Sequence, residues 1–228
     1  MSKISIIIPT YNEANTLPLL LSDLSINHKE LEILIIDCGS QDKTIDVANI
    51  YGARVHKSIE KNRGSQLNIG ALKAKGEWFI FLHADSRLNE DWFSKIKSVL
   101  KGLESHIYFF KFKVDNKNIT YRLLEIIVNL RSSFLKTPYG DQGLIIHKKT
   151  YFANKGFSKI PLMEDLDFIT RLKNKKSLKP LNFPIYTNSR KWEKTNIFVQ
   201  SLKNWKFRRR WLKGESLESI YIDYYKEN

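Results

Sequence analysis

Three short polar clusters, each directly after an apolar run, place carboxylates where they can do chemistry. Pro9-Thr10-Tyr11-Asn12-Glu13 follows Ile4 to Ile8, and Asp37-Cys38-Gly39-Ser40 follows Leu31 to Ile36, with Asp42 just beyond. His83-Ala84-Asp85 follows Trp78 to Leu82, and a fourth acidic pair, Glu164-Asp165, opens a helical stretch. Unpaired carboxylates are costly to bury, and in an open α/β sheet ligands bind outside the carboxyl ends of the strands. Three strand-end clusters within the first 85 residues therefore point to a nucleotide site. Arg63, just before Gly64-Ser65, sets a guanidinium beside helix amides, a ready clamp for a diphosphate; a solvated surface arginine fits the same residues.

The elements that must position these groups follow from the periodicity. Strand, helix and strand alternate over residues 3 to 85: strands near 4–8, 32–36, 54–57 and 78–82, helices near 13–24 and 43–51, and a third from Arg63-Gly64 to about Gly76. Such alternation implies a mostly parallel sheet with crossover helices. Thr10-x-x-Glu13 also fits a capping box for the first helix, a purely structural reading. The second half is less regular: a helix over 91–100, an alternating strand over 107–114, an amphipathic helix over 119–130, a loop over 137–142, a strand over 144–147, helical spacing over 164–175 and a last strand over 183–187. No repeat or linker separates the halves, which predicts one shared sheet.

With 228 residues, 42% hydrophobic and 12% aromatic, the chain has the material for one packed domain. The expectation is a single unit over 1–228, with a nucleotide-binding half (1–102), an acceptor half (103–195) and C-terminal helices (196–228). The single cysteine, Cys38, rules out an intramolecular disulfide and points to a reducing cytosol. The start, Met1-Ser2-Lys3 and five residues before Pro9, is too short for a signal-peptide core. No run approaches the ~18 apolar residues that span a bilayer. A net charge of +14 favours anionic partners such as nucleotide diphosphates or acidic membrane surfaces, although lysine-rich composition alone produces the same balance.

Taken together, the four clusters resemble the family 2 glycosyltransferases of the GT-A fold. The later pieces Gly140-Asp141-Gln142, Pro161-Leu162-Met163-Glu164-Asp165 and Arg190-Lys191-Trp192-Glu193 look like a small soluble bacterial subgroup. The resemblance implies an α/β GT-A-like, Rossmann-type sheet flanked by helices. It also implies transfer of a sugar from a nucleotide-diphosphate sugar to an acceptor hydroxyl, with inversion. Pro9, Thr10, Tyr11, Glu13 and Asp37 would then surround the nucleoside, with Arg63, His83 and Ala84 also on the donor. Asp85 stands where the family binds Mg²⁺ or Mn²⁺, and a metal there neutralises charge on the leaving diphosphate. A helix N-cap is its structural alternative. His83 replaces the first Asp of the commoner Asp-x-Asp form, and a neutral imidazole can still bond a ribose hydroxyl or ligate Mn²⁺. Asp165 takes the general-base role, with Glu164 alongside and Arg171 on the following turns. Ordinary first-turn acid enrichment, which Asp167 also serves, is the alternative. Gly140, Asp141, Gln142, Arg190 and Trp192 fall on the acceptor side, where Trp192 offers a flat face for a sugar.

The tail from Asn196 reads as two basic helices broken at Gly214, and the segment from Arg190 to Lys213 holds nine Lys or Arg and one Glu, interleaved with aromatics. Phe198, Leu202, Trp205 and Leu212 share a helical stripe, which fits packing onto the domain or peripheral contact with an anionic membrane. Two rival functions remain. A sugar-phosphate nucleotidyltransferase would carry a Gly-rich basic loop after strand one, where Tyr11-Asn12-Glu13 stands. A basic nucleic-acid-binding protein fits the charge, but no helix-turn-helix, RRM or zinc spacing supports it, so no nucleic acid is expected.

Overall fold

The computed structural model describes residues 4–26, 29–172, 177–188 and 197–227. Eight strands form one sheet in the order β3-β2-β1-β4-β7-β6-β8-β5. These are β1 (Ile4–Thr10), β2 (Leu31–Asp37), β3 (Arg54–Lys57), β4 (Trp78–Phe81), β5 (Ser86–Arg87), β6 (Ile107–Val114), β7 (Leu144–His147) and β8 (Leu178–Thr187). Strands β1 to β4 are parallel, β7 lies antiparallel between β4 and β6, β6 pairs parallel with β8, and β5 is antiparallel to β8. Both halves of the chain thus share one mostly parallel sheet, and the β1, β2 and β4 ends open on one edge.

Period-2 alternation splits the core between two faces. Ile4, Ile6 and Ile8 of β1 meet Leu17, Leu20, Leu21 and Leu24 of α1 (Leu17–Ser25). Ile7, on the other face, meets Leu67 and Ala71 of α3 (Arg63–Lys73) and Phe168 and Ile169 of α7 (Glu164–Arg171). The remaining helices are α2 (Thr44–Ile50), α4 (Trp92–Val99), α5 (Ile119–Phe134), α6 (Lys148–Ala153), α8 (Ile197–Leu212) and α9 (Leu217–Glu227).

Three expectations change. First, Thr10-x-x-Glu13 is not a capping box. Thr10 ends β1 and its hydroxyl donates to Asp37, while α1 starts at Leu17, four residues after Glu13, with a proline in its first turn; Pro18 fits there, where its missing N–H leaves no bond unmade. Second, the stripe Leu202, Trp205 and Leu212 on α8 faces solvent. Phe207 is the buried residue and meets Tyr224 of α9 at 5.5 Å. The C-terminal break does fall at Gly214 (φ 83°), but α9 is acidic rather than basic, with Glu218, Asp223 and Glu227 against Lys226. Third, α5 turns polar side chains to the sheet beside its apolar contacts there, Tyr121, Leu124 and Val128. β7 pairs with β6 only over Ile107–Phe109, so the outer part of β6 needs other partners. Asn129 accepts from the Phe112 amide at 2.8 Å and donates to its carbonyl at 2.9 Å, and Glu125 accepts from the Val114 amide at 2.8 Å. The motif Arg190-Lys191-Trp192-Glu193 lies outside the described residues.

Gly70 marks how closely α3 lies on the sheet: a Cβ there would sit 2.3 Å from Ile7 Cγ2 and 3.2 Å from Ile36 Cγ1. Gly70→Val therefore overpacks this contact and should cost about 1–3 kcal/mol, read as a lowered urea midpoint with an unchanged slope. An unchanged midpoint would show that α3 can lift off the sheet freely.

Candidate active site

The site is built where two loops from the first half meet the N-terminus of α7. Asp37 is fully buried and orders the nucleoside-side loops. Its Oδ1 accepts the Gly39 and Ser40 amides at 2.9 and 2.8 Å, and its Oδ2 accepts the Thr10 hydroxyl at 2.9 Å. The β1 loop is laced to the β2 loop by Asn12 to Ser40 and Gln41, by Glu13 N–H to Thr44 Oγ1 and by Ala14 N–H to Asp42. Asn12 holds a left-handed φ of 55° here, a conformation Asn tolerates better than most residues. Tyr11, 38% exposed, stands at the rim with Lys61 Nζ 3.5 Å from its ring centroid. Glu13 accepts the Thr16 hydroxyl at 2.6 Å. Pro9 is half-buried in β1, and Ala84 is buried in the core behind the loop.

At the end of β4 the chain turns through His83-Ala84-Asp85, closed by Ser86 N–H to His83 O at 3.1 Å. His83 and Asp85 are both half-buried. Among the described residues, no three His, Cys, Asp or Glu side chains stand together as a metal cage. The donor set nevertheless fits Mg²⁺ or Mn²⁺, because such ions are commonly held by one or two carboxylates and completed by substrate phosphates and water. Asp85 is the carboxylate in this turn, with His83 beside it.

Across the cleft, Met163 adopts a left-handed φ of 63° and swings the chain into α7. A non-glycine residue in that region stores strain that the surroundings must enforce. Immediately after it, Glu164 is 3% exposed and pairs with Arg63 Nε, whose side chain stays 42% exposed. Burial pushes the Glu164 carboxyl up from its ordinary value, opposed by the Arg63 guanidinium. Asp165 Oδ2 accepts the Gly140 amide at 2.7 Å, and Oδ1 accepts the Leu166 amide at 2.7 Å. A Cβ on Gly140 would lie 2.8 Å from His83 Nε2 and 3.3 Å from Asp165 Oδ2. Imidazole and carboxylate thus flank one bare backbone segment, and only glycine fits between them.

The structure therefore brings Arg63, His83, Gly140, Glu164 and Asp165 together across more than a hundred residues of sequence. Asp37, Gln142 and Glu164 are buried, and Glu164 lines a pocket together with His83, Gly140 and Asp165. Gln142 is fully buried, donating to Phe110 O at 3.2 Å and Ser132 Oγ at 3.0 Å. Asp141 lies in the same helical turn, Gly140–Gln142. Asp167 and Arg171 brace α7 against the 154–158 loop through Ser158 Oγ, Asn154 O and Gly156 O, and stay outside the site.

Sequence reasoning missed the wall beside Asp165. A pocket of about 170 Å³ is lined by Arg63, Tyr139, Asp165, Phe207, Arg208 and Tyr224, among others. Arg131 lies over the Tyr139 ring at 3.6 Å, and Arg208 approaches the same ring at 5.8 Å. Among the described residues, Arg131 Nε and Nη2 and Arg208 Nε are buried without a hydrogen-bond partner. Burial and the neighbouring Arg208 charge lower the Arg131 pKa, against the pull of Tyr139 and Asp141. No short motif carries these residues; the only signal was the aromatic-basic composition of 198–213.

Residues 5–214 match the family model described as Glycosyl transferase family 2. Over 93 residues the chain is 38% identical to the PGL/p-HBAD biosynthesis glycosyltransferase Rv2957 of Mycobacterium tuberculosis, covering 38% of this chain and 36% of that one. The chain thus spans about a third of the length of that relative. S. aureus TarS 1-349, solved with UDP-GlcNAc, superposes with a TM-score of 0.65 at 20% identity, over 82% of this chain and 59% of that chain. The mannosyltransferase PcManGT of Pyrobaculum calidifontis, solved with GDP-Man and Mn²⁺, gives 0.64 at 14% identity, over 91% and 61%. At these identities the likeness establishes the fold.

Because Arg63 is the cation facing the buried Glu164, Arg63→Met should destabilise the protein by about 2 kcal/mol at neutral pH, less than for a fully buried pair since Arg63 is part-exposed. The variant raises the folded-state Glu164 pKa further. Its contribution is then intact below the unfolded carboxyl pKa and is lost as pH rises through the folded value, so the deficit should shrink on acidification. Urea midpoints from pH 4.5 to 8 test this; a deficit constant over that range would separate Glu164 ionisation from the pair.

Proposed function

The chain belongs to Glycosyl transferase family 2, and on that premise we propose that it moves a sugar from a nucleotide-diphosphate donor to an acceptor hydroxyl with inversion. The observation that carries this reading is Asp165. Two amide donors hold its carboxylate at the wall of an open pocket, 25 residues in sequence from the Gly140 amide it binds and next to His83. A carboxylate so held is fixed in direction and keeps lone pairs free for a proton. The acceptor oxygen attacks the anomeric carbon and forms the new C–O bond as the bond to the diphosphate oxygen breaks. The electron pair leaves on the diphosphate, and Asp165 takes the acceptor's proton.

Tyr11, Thr10 and the loop ordered by Asp37 form the nucleoside edge, with Pro9 and Glu13 shaping its entrance. Arg63 reaches toward the diphosphate from the start of α3, held by Glu164. When bound, Mg²⁺ or Mn²⁺ on Asp85 would neutralise the diphosphate charge. His83 can donate to a donor hydroxyl from its place beside Gly140. Solved complexes of the structural neighbours with UDP-GlcNAc and with GDP-Man and Mn²⁺ support a nucleotide sugar and a divalent ion as the ligand class. The acceptor enters from the pocket of Tyr139, Phe207, Arg208 and Tyr224. Its aromatic faces suit a sugar or another flat ring, and the unbonded guanidinium nitrogens of Arg131 and Arg208 suit an acceptor that carries an anionic group.

The test is release of nucleoside diphosphate from a panel of UDP- and GDP-sugars with Mn²⁺, water serving as the fallback acceptor. Asp165→Asn keeps the shape but cannot take the proton, so turnover should fall by roughly 10² to 10⁴-fold while nucleoside-diphosphate affinity stays within about threefold. Persisting turnover with collapsed binding would make Asp165 a binding residue and reject this mechanism.

A further inference from the structure

Helix α5 carries apolar residues on two faces, one packed on β6 through Tyr121, Leu124 and Val128 and one turned outward. Ile119, Leu123, Ile126, Ile127, Leu130 and Phe134 fall within an arc of about 100° when plotted at ~100° per residue, and all six are between 47% and 78% exposed. The opposite face carries Glu125, Asn129 and Ser132, whose polar atoms serve the free part of β6 and Gln142. The inward face also packs Tyr121, Leu124 and Val128 against Phe112 and Val114 of β6, so the fold uses that face fully, and the outward face is apolar without a structural reason inside the domain. A continuous apolar stripe of this length marks a surface that is covered in use.

Charge identifies the cover. The one acid on α5, Glu125, is buried and paired with Arg122. Lys117, Arg122, Arg131 and Lys136 lie on and around the helix. α8 packs against α5, has no acid, and exposes Val199, Leu202, Trp205 and Leu212 beside Lys206, Arg209 and Lys213. A second copy would bring one +14 chain against another, which opposes self-association. Among the described residues no helix is long and apolar enough to cross a membrane. An amphipathic helix with aliphatic residues on one side and Lys, Arg and Trp beside it suits the plane of a bilayer interface.

We propose that the α5–α8 face docks on an anionic lipid bilayer, with the apolar stripe of α5 among the acyl chains and the basic side chains of α8 on the headgroup phosphates. This contact does not rest on the glycosyl-transfer reading, and its test reads no activity. The full chain is floated with vesicles of phosphatidylglycerol and phosphatidylcholine, or of phosphatidylcholine alone, at low and high salt. The wild type should partition onto the anionic vesicles and lose much of that binding at high salt. Leu123→Gln/Ile127→Gln/Leu130→Gln should lower partitioning at least tenfold even at low salt. Lys206→Gln/Arg209→Gln/Lys213→Gln should lower it comparably and flatten the salt dependence. All six positions are on the surface, and circular dichroism checks that both variants fold. Wild-type protein that stays in the aqueous phase, or binds both vesicles equally, overturns the proposal, as does an apolar variant that binds like the wild type. Light scattering that shows a dimer split by the apolar variant would also overturn it, assigning the face to a second copy.

Discussion

A buried carboxylate needs a cation or a full set of hydrogen-bond donors, and for Glu164 that requirement joins the two halves of the chain. Glu164 is almost fully buried, and Arg63, 101 residues earlier, answers it from the first turn of α3. The pair fixes the N-terminus of α7 against the start of α3, and Asn62 adds a second tie by donating to Ile160 O at 2.9 Å. Since α3 lies tightly on β1 through Gly70, the position of α7 is referred to the same strand whose end forms the nucleoside edge. The adjacent residue, Asp165, inherits that placement. Its direction is then set by the Gly140 and Leu166 amides, so its geometry depends on backbone groups that cannot rotate away.

The same economy of polar groups explains the second half of the sheet. β6 has a strand partner on the β7 side for only part of its length, and the rest of its backbone would be left unpaired in the interior. Gln142, Asn129 and Glu125 fill that role with side chains. Gln142 thereby anchors the turn that carries Gly140, and α5 is fixed to the sheet by these hydrogen bonds together with the packing of Tyr121, Leu124 and Val128 on Phe112 and Val114. The second apolar stripe, Ile119 to Phe134, is consequently free to face outward, and Arg131 on the same helix is left stacked over Tyr139 at the pocket wall.

What was legible in the sequence follows from which interactions are local. Apolar runs ending in polar or turn-forming residues located strands β1, β2 and β4 to within two residues, because period-2 burial and turn chemistry both act over a few residues. The carboxylates at those strand ends could be singled out for the same reason. The start of α1 was misplaced because Thr10 and Glu13 match a capping pattern, while Pro18 and the long-range bond from Thr10 to Asp37 set the real boundary. The periodicity of α5 was legible, but its orientation was not: nothing in residues 119–134 reports that the outer part of β6 lacks a strand partner on its β7 side. Arg131, Tyr139 and Arg208 were missed because their association is purely tertiary.

The account stands or falls on the edge formed by β1, β2 and the His83-Ala84-Asp85 turn being a metal-assisted nucleoside-diphosphate site. Calorimetric titration of UDP and GDP into the wild type and Asp85→Asn, each with and without Mn²⁺, tests it most directly. The account predicts single-site binding of one of the two nucleotides that strengthens with Mn²⁺, and at least a tenfold loss of that Mn²⁺-dependent affinity, about 1.4 kcal/mol, in Asp85→Asn. Equal affinities in all four conditions would take both the metal and Asp85 out of the site.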